Sequence, residues 1–107
     1  MKRSILIAMT LALTGAAFVS SADANWRTHH PRRAEVNARL NNQARRIHQE
    51  RKEGELTGRQ AADLHAEDRG IRAQERFDAS QNGGHITRAE KVQLNHEENG
   101  VSHQIGR

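Results

Sequence analysis

Seven histidines, His29, His30, His48, His65, His85, His96 and His103, are the densest supply of reactive side chains in this sequence. A zinc or copper ion would need two of them three or four residues apart on one helix, or several converging from different helices. No H-x2-H or H-x3-H spacing occurs. His96 and His103 fall on one helical face but two turns apart, ~10 Å by helix rise. They cannot hold an ion alone. With His65 they form the candidate metal set, and Asp63, Glu67 and the His29-His30 pair could supplement it weakly or between molecules. The plainer alternative is that these histidines are exposed polar residues on solvated helices.

Catalytic chemistry has less to work with. The chain has no Cys, and beyond the first 24 residues its serines are Ser80 and Ser102. Two acidic pairs, Glu67-Asp68 and Glu97-Glu98, recur thirty residues apart. Adjacent residues leave a helix in different directions, so neither pair is a ready acid–base couple. Asp68 is expected to pair with Arg72 at i, i+4, and the remaining acids to solvate their helices. The chain is therefore expected to be non-catalytic and to carry no cofactor, unless zinc or copper occupies the histidines.

The elements that must position these residues are helical. From Arg32 to Lys52 there is neither Gly nor Pro, and Pro31 suits a first helical turn. Val36, Leu40, Ala44 and Ile47 recur with helical period. A second helix is expected from about Gly58 to Ser80, striped by Ala61, Leu64, Ile71 and Phe77, with Asp68 intruding. A third is expected from about Arg88 to Gln104, striped by Leu94, Val101 and Ile105. Strand signals are absent, so the fold class is all-α: three helices joined by two equivalent corners.

Those corners are written twice. Gly54-Glu55-Leu56-Thr57-Gly58-Arg59-Gln60 is echoed by Gly84-His85-Ile86-Thr87-Arg88-Ala89-Glu90 at a constant offset of thirty. The echo continues through Leu64 and Leu94, Asp68 and Glu98, Gly70 and Gly100, and Ile71 and Val101. Each phrase has mechanical work. Gly54 and Gly84 release the incoming helix. Leu56 and Ile86 staple the next one, Thr57 and Thr87 cap it, and Gln60 and Glu90 close a capping box. The outline is that of an EF-hand corner. A calcium loop would need several oxygen ligands, and only Glu90 falls at a ligand position, so calcium is not expected.

The start of the chain carries a different signal. Lys2 and Arg3 precede an apolar run from Ile5 to Val19, and Ala22-Asp23-Ala24 supplies a small-residue cleavage site. This is the pattern of a secretory signal peptide over residues 1–24, cut after Ala24. Residues 25–31 are then expected as a flexible terminus and 32–107 as the helical domain. The product would be periplasmic or secreted, with no membrane span after cleavage. From Asn25 on, 15 basic and 12 acidic residues are interspersed. Large apolar residues are few and no disulfide is available, so stabilisation rests on a thin core. A marginal bundle, an oligomer that pools its stripes, and a chain that orders on binding are all compatible with that composition.

Leu56-Thr57-Gly58-Arg59-Gln60 matches LTxxQ, and Ile86-Thr87-Arg88-Ala89-Glu90 approximates it. The chain here resembles the LTxxQ family of periplasmic proteins, the Spy- and CpxP-like chaperones and their zinc-associated relatives. Over most of its length it is similar to small exported proteobacterial proteins with a tandem GxLTxxQ/E phrase. The first resemblance implies an ATP-independent periplasmic chaperone or stress modulator acting as a helical homodimer.

The expected function is therefore chaperone-like or envelope-stress-associated binding. The partners would be unfolded or exposed protein segments, or anionic envelope components. Too few aromatics and an exported location argue against nucleic acid. The candidate partner-binding residues are the stripe Val36, Leu40, Ile47, Leu64, Ile71 and Phe77 with the charges Arg39, Arg45 and Arg46. Core packing is the alternative role for the stripe. The competing functions are metal binding through the histidines and a structural role in the envelope.

Overall fold

The computed structural model describes residues 21–106, and they are all-α. Four helices occur among them: α1 (Ser21–His29), α2 (Pro31–Lys52), α3 (Gly58–Gln81) and α4 (Arg88–Ile105). The three long ones match the sequence pattern closely. α1 is an addition: residues 25–29 are helical where a loose terminus is expected. Three side chains tie this helix to its own backbone. Thr28 Oγ1, His29 Nδ1 and His30 Nδ1 each bond the carbonyl four residues back, at 2.8–2.9 Å. The expected leader lies outside the described residues except for its last four, and the expected cut after Ala24 falls within α1.

α2 runs antiparallel to α3 and parallel to α4. Arg33 pairs with Glu75 of α3, and Arg72 reaches back to Asn37 and Asn41. Toward α4 the order is the same in both helices. Arg32 donates to the Ile86 carbonyl, Arg39 to Asn99 and Arg46 to Ser102. Their buried sides meet in one core: Val36, Leu40 and Ile47 from α2, Ala61, Leu64, Ile71 and Ala79 from α3, and Leu94, Val101 and Ile105 from α4, closed by Leu56 and Ile86. A fully buried aliphatic side chain contributes about 1.5–3 kcal/mol, so a core of this size tolerates few polar intrusions.

The corners are built as the repeated phrase predicts. Gly54 and Gly84 have φ of 83° and 92°, the left-handed region that a side chain disfavours. Thr57 Oγ1 accepts from the Gln60 N–H while Gln60 Oε1 accepts from the Thr57 N–H, at 3.0 and 2.8 Å. Thr87 and Glu90 repeat the box at 3.1 and 2.8 Å. Downstream of each cap the burial pattern also repeats: Leu64 and Leu94, Asp68 and Glu98, Ile71 and Val101 are buried in both copies.

Upstream the repeat fails. Ile47 is buried but Phe77, its counterpart, is 59% exposed. The second corner needs an extra residue, with Gly83 as well as Gly84 at positive φ, so α3 enters it in a different phase. The inward positions on α3 are then Ile71, Glu75 and Ala79. Phe77, two residues from either neighbour, faces away. On α2 the inward residue is Gln43, not Ala44, because the stripe spaces 4-3-4 through Val36, Leu40, Gln43 and Ile47.

The second corner is also held from outside. The Trp26 and His30 rings stack at 4.6 Å, and His30 stacks on His85 at 4.7 Å. Arg33 lies over Trp26 and donates to the Gly84 carbonyl. Removing either cap hydroxyl isolates the contribution of its corner. Thr57→Ala and Thr87→Ala are each expected to lower unfolding free energy by about 1 kcal/mol in urea denaturation. A loss confined to one variant would show that the two boxes are not equivalent.

Candidate functional site

The most unusual chemistry lies inside the bundle. Halfway along the apolar stripe, α3 places Asp68 between Leu64 and Ile71, and α4 places Glu98 between Leu94 and Val101. Helical period alone forces this: each acid sits one turn from an aliphatic residue on either side, on the same face. Glu67 and Glu97, one residue earlier, stay outside the core. Asp68 is 7% exposed and Glu98 fully buried. From α2, the buried Gln43 reaches the same level, its Nε2 donating to the Glu98 backbone carbonyl at 2.6 Å.

This layer is rich in acceptors and short of donors. Both oxygens of Asp68, both of Glu98 and Gln43 Oε1 are buried without a hydrogen-bond partner among the described residues. Two arginines lie close without satisfying them. Arg39 Nη1 stands 3.7 Å from Glu98 Oε1, beyond hydrogen-bond range, and its Nη2 is spent on Asn99. The expected Asp68–Arg72 bond does not form; the Arg72 guanidinium reaches across to Asn41 at 3.0 Å and Asn37 at 3.4 Å.

Burial therefore dominates the titration of both acids. It pushes Asp68 from 3.8 up to about 6, against the charge of Arg72 and with that of Glu67. It pushes Glu98 from 4.5 up to about 7, opposed by Arg39 and aided by the Asp68 charge. The other buried acid, Glu75, is treated differently: Arg33 of α2 holds both of its oxygens.

The remaining candidate residues are distributed elsewhere. Val36, Leu40, Ile47, Leu64 and Ile71 of the candidate partner-binding set are core. Arg39 and Arg46 bind α4, Arg46 through Ser102 and the Gly106 carbonyl, and Arg45 bonds Asn42 on its own helix. α2 thus uses most of its arginines as clamps on its neighbours. His96 and His103 flank an exposed depression on α4 with Asn99 and Gly100, and half-buried His65 is not part of its lining. Among the described residues no three His, Cys, Asp or Glu side chains gather where they could hold one metal ion. An open groove between α3 and α4 is lined by repeat-related pairs, Gly70 with Gly100 and Ile71 with Val101.

The sequence marks Asp68 as an intruder in a stripe, but in it Glu98 reads as solvating and nothing in the hydropathy singles out Gln43. The signal was available in the repeat itself, since its offset carries Asp68 onto Glu98 between equivalent aliphatic residues. No family model, curated protein or solved structure matches this chain.

The raised values fix the sign of a pH effect. Both carboxyls bind their protons more tightly in the folded chain, so stability falls as pH rises. The penalty is absent below the ordinary values of 3.8 and 4.5 and complete once pH exceeds about 7. For Glu98 alone it is on the order of 3 kcal/mol, comparable to one buried leucine. Glu98→Gln is expected to gain on the order of 2 kcal/mol at about pH 8 and little at about pH 5, read from urea midpoints. An equal effect at both values would contradict the assignment.

Proposed function

We propose that this chain is a small, non-catalytic helical binding protein of the cell envelope, chaperone-like or stress-associated. Its partners would be exposed apolar segments of other proteins. The observation that carries this reading is the stripe shared by the three long helices. Val36, Leu40, Ile47, Leu64, Ile71, Leu94, Val101 and Ile105 make up most of the buried large aliphatic residues, and they close on one another around an acidic layer. Apolar surface held together that weakly can be lent to another chain when the helices part. The LTxxQ phrase and the expected leader point the same way. The two capped corners fit a duplicated helix–corner–helix unit, EF-hand-like in outline and without a calcium ligand set.

The arginines of α2 limit the alternative of anionic envelope partners, because Arg33, Arg39 and Arg46 are engaged by the bundle itself. Phe77 is the one stripe candidate already on the surface, where it offers a first contact for an apolar segment.

Equimolar protein is expected to suppress light scattering from a chemically denatured client on dilution. Phe77→Ser should weaken suppression without lowering helicity. Undiminished client aggregation at a large molar excess of the protein would rule the reading out.

A further inference from the structure

The three helix–helix contacts are not pinned equally. α2 is fixed to α4 by Arg39, Gln43, Arg46 and the Glu35–Lys91 pair, to the corner before α4 by Arg32, and to α3 by the Arg33–Glu75 pair and by Arg72. Between the bodies of α3 and α4, the described residues make one polar side-chain contact, Gln104 to Glu67 at 3.1 Å on the surface. Both orphaned acids sit at equivalent points of these two helices, close enough for the Asp68 charge to act on Glu98, each with two buried oxygens unpartnered among the described residues. Gln43, whose Nε2 is spent on the Glu98 carbonyl, adds a further unpartnered acceptor.

Charge on the two acids therefore acts on the weakest interface. Protonated, each carboxyl supplies the O–H donor that the layer lacks. Ionised, both place negative charge in an apolar interior with no hydrogen bond to offset it, and they repel each other. The groups facing them do not reverse this. α2 contributes Arg39 and, more distantly, Glu35. α3 contributes Arg72 and Glu67, whose effects oppose. α1 packs on α2 and not on this interface.

We infer that Asp68 and Glu98 form a proton-operated latch: protonated, they let α3 and α4 close over the apolar stripe, and ionised, they loosen that contact and release the stripe to a client. The inference rests on the reading of the chain as a binder of apolar segments, and it assigns the regulation of that binding. The raised titration of both acids places the switch between mildly acidic and neutral pH.

The test uses reduced, carboxymethylated lactalbumin, which stays unfolded, as the client probe. Its anisotropy is titrated with wild type and with the Asp68→Asn/Glu98→Gln double variant. Wild type is expected to bind about tenfold more tightly near pH 8 than near pH 5.5, and the double variant to differ less than about twofold. Equal affinity of wild type at both values, or an unchanged pH response in the variant, overturns the latch. The second outcome would assign the response to the histidines or to the probe.

Amide exchange in residues 64–71 and 94–101, corrected for intrinsic rates, tests opening without a client. Faster opening of wild type at the higher pH supports the latch, and pH-independent opening overturns it even if the variant does not fold. Faster opening with no probe binding at either pH would leave the latch standing and refute the client-binding reading instead.

Discussion

Two carboxylates buried at the same point of a duplicated helix set the terms for the rest of this structure. Asp68 and Glu98 occupy the middle of the stripe that packs the three long helices together, and neither finds a donor among the described residues. Desolvating a carboxylate costs more than one aliphatic contact returns. The bundle therefore depends on how these two groups are neutralised. Protons do this directly. Arg39 and Arg72 do it only at a distance, since their hydrogen bonds are committed to asparagines.

The remainder of the fold compensates around that layer. α2 behaves as a clamp, its arginines reaching carbonyls and side chains on both other helices. The capping boxes fix where α3 and α4 begin, so the duplicated segments enter the bundle in the same phase and carry their acids to the same depth. The Trp26–His30–His85 stack and Arg33 hold the second corner from the outside. What remains lightly held is the direct contact of α3 with α4, and the proposed release of the stripe follows from that imbalance.

Much of this was legible in the residues. Helix bounds followed from Pro31, the glycines and the two threonine caps, because capping depends on residues within one turn. Most of the core followed from aliphatic spacing. The errors share a physical cause. Gln43 is buried because its amide meets a carbonyl 55 positions away, and the clamping arginines likewise find their partners on other helices. Hydropathy period assigns such residues to the surface. Phe77 differs for another reason: the thirty-residue offset pairs it with buried Ile47, but α3 turns Ile71, Glu75 and Ala79 inward and leaves Phe77 outside. Glu98 was readable only by carrying the repeat through to burial, since a lone Glu-Glu pair reads as solvent-facing.

The protonation of Asp68 and Glu98 in the folded protein decides whether the core depends on pH, and carboxyl-carbon NMR measures it directly. Titrating the Asp68 Cγ and Glu98 Cδ resonances in the intact chain should give midpoints near 6 and near 7, well above ordinary carboxylates. Midpoints close to 4 for both would show that the acids are ionised across the neutral range without penalty, and the account of a proton-dependent core would be wrong.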